Sequence, residues 1–372
     1  MKISFRKYHL LRILDLFEES SYPIDLFLKN YFRSHKQIGS KDRKEICETL
    51  YPMIRFKGLI DYFSKKPFTS EQRLETYLSL DSLIASAKLP HHLKVSFPKD
   101  YFSIIEKNYG LEKALEICNI SNTQAPTTVR VNTLKTTRDK LFSQWKKEYS
   151  VYLGKHSNQA ISFGRKINFF GLPEFKEGLF EIQDEGSQLI GDLVEAKPKD
   201  HVLDYCSGSG GKTLCFAPKM EGKGQIYLHD IRTKVLIEAK KRLKRAGIQN
   251  AQILEPNKKI KRYHGKMDWV LTDVPCSGSG TLRRNPDMKW RFSPQMVDNL
   301  VIEQRDIFAK ALKFVKSKGF IVYATCSLFP EENEQQIKYF LNNHPLKLCK
   351  MTSWLPEKHG MDGFFGAVFQ LI

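Results

Sequence analysis

The sequence predicts an α/β protein whose C-terminal half is a Rossmann-like, doubly wound parallel sheet, preceded by a small α+β segment and an all-helical N-terminal domain. Three observations lead there. Apolar residues recur at three- and four-residue spacing from Phe5 to about Asn122, the period of helices packed on one face. Between about Pro126 and Gln188 the texture changes to short β-rich runs around one helical stretch. From Leu189 onward, strand and helix patterns alternate, as in a parallel sheet covered on both faces. The expected domains are 1–122, 123–188 and 189–372.

In the helical part, "LLRILDLF", "PIDLFLKNYF" and "KEICETLYPMIRFKGLIDYF" each present an apolar stripe. Thr69 and Gln72 have the spacing of a capping box, Gly110 should stop a helix that begins near Asp100, and Pro52 should kink or divide the third segment. In the middle segment "TTVRVNTL", "VYLG" and "AISF" read as strands and "TRDKLFSQWKKE" as a helix. The last part reads as strand "HVLDYC", a helix from Lys212, strand "QIYLHD", helix "KVLIEAKKRLKRAG", strand "MDWVLTDV", a helix from Pro294 to Lys316 and strand "GFIVYATC". In such sheets ligands bind beyond the carboxyl ends of the strands.

At 372 residues the chain has room for two or three domains, and its net charge of +19 suits a polyanionic partner, nucleic acid before membrane. Seven cysteines with no CxxC pair and no matching histidine spacing encode neither a disulfide framework nor a metal site, so reduced thiols in a cytoplasm are the economical reading. No apolar run reaches the roughly 18 residues of a spanning helix, and the basic N-terminus has no uninterrupted apolar core. Nothing in the sequence demands a protein partner.

The chemistry concentrates at strand ends. "LDYCSGSGGKT", Leu203 to Thr213, is a strand ending in an acid, then a glycine-rich turn, then a helix. That order brings backbone N–H groups close to a ligand at a positively polarised helix end. A phosphate-binding P-loop would require glycine where Cys206 stands, and a dinucleotide GxGxxG fails because Thr213 follows Gly208 and Gly210 at the third position. S-adenosylmethionine is the alternative, with Cys206, Ser207, Gly208, Ser209, Gly210, Gly211 and Lys212 around it and Asp230, at the end of the next strand, on its ribose hydroxyls.

Two further strands end in cysteine, Cys276 after Asp273 and Pro275, and Cys326 after Thr325. Strand ends at one edge of a parallel sheet bring distant thiols into one crevice. Thiols beside a methyl donor suit one reaction. Cytosine C5 is a poor nucleophile until a thiolate adds at C6 and makes the ring enamine-like, after which a second group must remove the C5 proton. Asp273 would hold the pyrimidine edge. Chemistry alone does not order the two cysteines. Cys47, Cys118, Cys215 and Cys349 lack this setting and read as structural.

Together the motifs "RVNTLK", "FEIQDEGSQL", "DYCSGSGGKT", "TDVPCSGSGTLRRNPDMKW", "YATCSLFPEENEQQI" and "DGFF", in that order from about residue 126 to the end, resemble the RNA cytosine-C5 methyltransferases of the NOL1/NOP2/Sun type. The helical start, through Asp42, Arg43, Tyr51 and Arg55, resembles the NusB-like RNA-binding module of the bacterial RsmB-like members that modify small-subunit ribosomal RNA. The resemblance implies Cys326 as nucleophile and Cys276 as the group that releases product. It also implies S-adenosylmethionine as cofactor, and RNA contacts from Arg283 and Arg284 on flanking phosphates and from Arg130 and Asn132 in the middle segment, a ferredoxin- or RRM-like one. Two departures stand out. The family's usual CAAPGGKT is CSGSGGKT here, which loosens the turn, and Asn257 stands where an aspartate near the adenine is usual, with Glu255 as a substitute if the loop is shifted.

The expected activity is therefore methylation of cytosine C5 in RNA, most simply 16S ribosomal RNA. Transfer RNA as substrate, and a non-catalytic RNA-binding assembly factor, remain the alternatives. A DNA enzyme is disfavoured because no large target-recognition insertion separates the motifs, and an amino-group methylase because "DVPC" stands where an NPPY-like motif belongs.

Overall fold

Helices that cannot bury an apolar stripe alone pack on one another, and the first of two units is built that way in this computed structural model, which describes residues 3–255 and 260–372. It comprises α1 (Phe5–Glu18), α2 (Ile24–Ser34), α3 (Ser40–Arg55), α4 (Lys57–Phe63), α5 (Ser70–Leu78), α6 (Leu80–Ala85), α7 (His91–Lys94), α8 (Lys99–Tyr109) and α9 (Leu111–Ser121), plus the distant segment Thr281–Pro294. Leu10, Ile13, Ile24, Leu28, Ile46, Leu50 and Ile60 form its core. The Thr69 hydroxyl accepts the Gln72 N–H and the Gln72 side chain accepts the Thr69 N–H, both at 3.2 Å, completing the expected capping box. Gly110, at φ +77°, ends α8 as anticipated. Pro52 lies in the last turn of α3, which stops three residues later, so it marks a boundary rather than a kink.

The returning segment is held by buried donors. Lys289, 1% exposed, donates to the Arg55 and Ser96 carbonyls and to Asn122 Oδ1 at 2.7, 2.8 and 2.7 Å. The Trp290 indole donates to the Ile54 carbonyl at 2.6 Å, the Arg55 guanidinium to the Arg283 carbonyl at 2.8 Å, and Arg291 to the Ser21 and Tyr22 carbonyls.

The second unit, Ala125–Gly280 with Gln295–Ile372, holds two sheets. The first is antiparallel, order β2-β3-β1-β4, from β1 (Thr127–Val131), β2 (Val151–Leu153), β3 (Ala160–Phe163) and β4 (Phe180–Ile182), with α10 (Arg138–Trp145) and α11 (Pro173–Lys176). Trp145, Phe163, Phe169 and Phe180 fill its core. Then α12 (Glu185–Asp192) leads into β5 (His201–Asp204), α13 (Thr213–Phe216), β6 (Gln225–His229), α14 (Thr233–Ala246), β7 (Ala251–Leu254), β8 (Met267–Asp273), α15 (Pro294–Leu312), β9 (Val315–Thr325), α16 (Glu334–Asn343), β10 (Leu346–Trp354) and β11 (Phe364–Leu371).

The seven strands run β10-β11-β9-β8-β5-β6-β7, with β5 to β9 parallel and β10 and β11 antiparallel at one edge. Two apolar clusters lie along this sheet, one around Ile190, Leu214, Phe216 and Leu236, the other around Phe308, Tyr323, Phe340 and Phe369. The parallel core was expected; the antiparallel pair was not. Helix α15 ends at Leu312 rather than Lys316, because Val315 already pairs with Met267 in the sheet.

Candidate active site

Parallel pairing aligns the carboxyl ends of β5, β8 and β9: Asp204 lies opposite Leu271, and Asp273 opposite Ala324. The chain beyond each end therefore enters a single crevice. After β5 the glycine turn bends through Gly208 and Gly210, at φ +52° and +79°, values that L side chains rarely adopt. Its hydrogen bonds are made: Gly210 N–H to the Ser207 carbonyl at 2.8 Å, and Ser207 N–H to the His229 carbonyl at 2.9 Å.

Two arginines brace the turn from outside. Arg242 of α14 donates to the Ser209 carbonyl and hydroxyl at 3.0 and 2.6 Å and pairs with buried Glu181, while Arg130 of β1 donates to the Gly211 carbonyl at 2.9 Å and to Gln183. The bond to the Ser209 hydroxyl needs a side-chain oxygen there, so the CSGSGGKT departure brings its own restraint. Arg242 was missed from sequence, since it sits among other cations on an ordinary amphipathic helix.

Asp204 is 1% exposed; its Oδ2 accepts the Thr213 hydroxyl at 2.6 Å and its Oδ1 has no partner. Burial pushes its carboxyl up to about 7. The Ser207 hydroxyl is likewise buried and unpartnered. Asp230, at the end of β6, accepts the Gly208 N–H at 2.9 Å and the Arg232 guanidinium at 3.0 Å. Burial raises its proton affinity, but these donors outweigh burial and hold the carboxyl below its usual range. Lys212 reaches Asp273 Oδ2 at 2.5 Å. Burial works against the Lys212 ammonium, yet Asp273 beside it wins and the net shift is upward. Burial keeps the Cys206 thiol protonated. Asn257 lies outside the described residues.

The two cysteines meet. Cys276 Sγ and Cys326 Sγ are 3.3 Å apart, and the Cys326 N–H points at the Cys276 sulfur at the same distance. The hydrogen bond to Cys326 raises the Cys276 thiol far above the usual range, followed by burial and the charges of Cys326 and Glu332; the Gly278 N–H opposes them. Gly280 and Gly363 touch back-to-back: Gly363 N–H donates to the Gly280 carbonyl at 2.8 Å, and a Cβ on Gly280 would lie 2.3 Å from the Gly363 carbonyl oxygen. The "DGFF" motif thus braces the loop that carries Cys276.

Three of the four residues expected to contact RNA are buried. Arg130 and Asn132 are 3% and 7% exposed, and Asn132 donates to the Gly178 and Ala246 carbonyls at 2.9 and 2.8 Å, so both act as internal struts. Arg283 is buried within the helical unit and Arg284 is half-buried. Among the described residues no His, Cys, Asp or Glu group could hold a metal ion, and no helix is long and apolar enough to cross a membrane.

An adenosyl-amino-acid group fits these residues: the turn offers close backbone, Asp204 and Ser207 offer unspent buried oxygens, and Asp230 lies one strand over. A family model for the 16S rRNA methyltransferase RsmB/F matches residues 192–370, and one for the ferredoxin-like domain of the same proteins matches 97–169. The ribosomal RNA small subunit methyltransferase B of Proteus mirabilis is 32% identical over 84% of this chain and 72% of its own length. The chain belongs to the RsmB/F family, of the NOL1/NOP2/Sun type.

A probable ribosomal RNA small subunit methyltransferase B of Synechocystis is also 32% identical, over 73% of this chain, which spans 66% of that relative's length. The solved structure of a methyltransferase homologue from Pyrococcus horikoshii, 27% identical, superposes with a TM-score of 0.68 over 76% of this chain and 98% of its own. As an RsmB/F methyltransferase, the protein uses S-adenosylmethionine as its methyl donor.

Proposed function

We propose that this RsmB/F protein methylates cytosine C5 in small-subunit ribosomal RNA. The observation that carries the reading is the pair of sulfurs 3.3 Å apart at the ends of adjacent parallel strands, beside the Lys212–Asp273 ion pair and the glycine turn. S-adenosylmethionine, when bound, supplies an electrophilic methyl group. The relatives named for small-subunit ribosomal RNA support that substrate, and the net charge of +19 suits it. On the same reading, residues 1–122 are a NusB-like RNA-binding domain and 123–188 a segment that positions RNA.

Cys326 is the nucleophile. Burial and the neighbouring Cys326 sulfur hold the Cys276 thiol protonated, which suits it less well to open the reaction than its partner. The Cys326 sulfur adds to C6 of a base flipped out of its stack, and C5 takes the methyl group. Forming the C6–S bond consumes the charge on Cys326. The hydrogen bond that most favours a protonated Cys276 then disappears, so Cys276 loses its proton to solvent; as a thiolate it takes the C5 proton, the C5–H electrons form the C5–C6 double bond, and the C6–S bond breaks with Cys326 leaving as thiolate. Asp273, oriented by Lys212, holds the N3 edge of the ring.

The test is nucleoside mass spectrometry after incubating the protein with isotopically labelled S-adenosylmethionine and unmodified ribosomal and transfer RNA. Labelled 5-methylcytidine in small-subunit RNA is expected. Label only in transfer RNA overturns the substrate, and no 5-methylcytidine overturns the reaction. Cys326→Ala should abolish turnover, whereas Cys276→Ala should accumulate a protein–RNA adduct on a denaturing gel.

A further inference from the structure

Behind the two cysteines lies a carboxylate that the chemistry above does not use. Glu332, in the loop between β9 and α16, is fully buried. Its Oε1 accepts the Ser277 N–H at 2.8 Å and the Gln304 amide at 2.9 Å; its Oε2 accepts the hydroxyls of Ser277 and Ser327, each at 2.5 Å. Ser277 directly follows Cys276, and Ser327 directly follows Cys326. One side chain thus ties together the residues next to both sulfurs, from loops 50 positions apart in sequence.

We infer that Glu332 is a positioning residue that sets the separation of the two cysteine sulfurs. The catalytic consequence rests on the function proposed above; the geometric claim does not. A buried anion whose four donors are all uncharged is costly unless each bond is well formed, so the carboxylate is not there for stability alone. What it adds is direction. A carboxylate only accepts, so the serine hydroxyl protons turn toward it, and their lone pairs are left to receive the Phe329 N–H on Ser327 at 3.0 Å and the Ser279 N–H on Ser277 at 3.4 Å, with the Ser279 hydroxyl 3.1 Å from each serine oxygen.

Neighbouring bonds extend the clamp on both sides of each cysteine. Gln304 of α15 also donates to the Pro275 carbonyl at 3.0 Å, and its own oxygen accepts the Gln336 amide at 2.9 Å. Asn333, next to Glu332, accepts the Thr325 hydroxyl at 2.6 Å and donates to the Ser327 carbonyl at 2.9 Å. The Tyr323 hydroxyl donates to the Glu332 carbonyl at 2.7 Å. Residues 275 and 277 on one loop and 325 and 327 on the other are therefore fixed by Glu332, Gln304 and Asn333 together, beside the direct contacts of Ser277 Oγ with Ser327 Oγ at 3.1 Å and of the Cys326 N–H with Cys276 Sγ at 3.3 Å.

Glu332→Gln keeps the shape and breaks this logic. Its oxygen must face the Ser277 N–H and Gln304, which cannot accept, so its new N–H groups face the two serine hydroxyls, which must turn round. The two shortest bonds are reversed, lose the carboxylate's charge and lengthen, so the loops drift apart. Sulfur separation is read without RNA by dibromobimane, a reagent with two thiol-alkylating arms that joins only close thiols, with peptide mass spectrometry to identify the pair.

Wild type should cross-link Cys276 to Cys326. In Glu332→Gln that rate should fall at least fivefold, while one-armed monobromobimane labels both thiols at wild-type rates and S-adenosylhomocysteine affinity stays within twofold. Methylation, where wild type shows it, should fall on the order of a hundredfold in kcat, the usual cost of a misplaced reacting group. Ser277→Ala and Ser327→Ala each remove one tether and should each slow cross-linking, which covers the case in which Glu332→Gln folds poorly. Unchanged cross-linking in all three variants overturns the inference. An inactive wild type whose cross-linking still depends on Glu332 would instead overturn the proposed function and leave the clamp standing.

Discussion

Asp204→Asn should stabilise the second unit at neutral and higher pH while weakening donor binding. The buried Asp204 carboxyl sits near about 7, against about 3.9 in an unfolded chain. A raised acid binds its proton more tightly folded than unfolded. Its favourable contribution is therefore complete below pH of about 4, declines as pH rises, and is gone once pH passes about 7. Three units at about 1.4 kcal/mol each set an upper bound of about 4 kcal/mol, and relaxation around the charge will return less. Asparagine keeps the shape, carries no charge and can still accept the Thr213 hydroxyl. Because two units need not unfold together, the measurement should be local: amide hydrogen exchange at Leu203 and Leu271, compared between wild type and variant at the same pH. Protection in the variant should exceed wild type at pH 8 by about 2–4 kcal/mol and converge with it near pH 4. Calorimetry with S-adenosylhomocysteine should show affinity lower by about tenfold or more, since a charged hydrogen bond is worth about 1.5–3 kcal/mol. Parallel protection at both pH values would refute the assignment of a strained, protonatable acid.

Two further outcomes follow from other buried donors. Lys289→Met leaves two carbonyls and an amide oxygen without their donor, and a buried polar group left unsatisfied costs about 1–3 kcal/mol; exchange in α3 and α9 should rise accordingly. Arg242→Ala frees Ser209 and half of the Glu181 pairing, so S-adenosylhomocysteine should bind several-fold more weakly, with the larger loss in the enthalpy measured by calorimetry.

Much of this was readable before the structure because local chemistry and global fold agree. The Thr69 capping box, the Gly110 stop and the alternation from "HVLDYC" to "GFIVYATC" each follow from spacing alone. The strand-end cysteines were readable for the same reason: parallel strands gather their carboxyl ends whatever the sequence between them. β10 and β11 were not. "LKLCKMTSW" has a mixed burial pattern, and "FFGAVFQL" is apolar at nearly every position, which fits a buried helix as well as a strand. Pairing of β11 with β9 is a long-range fact that no local window contains.

The residues most easily misread were the cations. A basic chain invites every motif arginine and lysine to be given to RNA, yet Arg130, Arg283 and Lys289 are buried, and Arg242 is engaged with the glycine turn. The reason is geometric. A turn or a returning segment exposes backbone carbonyls that need donors, and a long side chain with several N–H groups can satisfy more than one of them from an adjacent element. Lys289 does this for the segment that follows Cys276, as Arg130 and Arg242 do for the glycine turn. Cations able to meet phosphate must lie where the backbone already has its partners, on helix surfaces such as Lys234, Lys240, Lys241 and Lys244 of α14, all exposed, with Lys241 also 3.9 Å from Glu238. Charge reversal at those four positions should therefore weaken RNA binding in proportion to salt sensitivity while leaving donor affinity unchanged, whereas substitution of Arg130 should do the opposite.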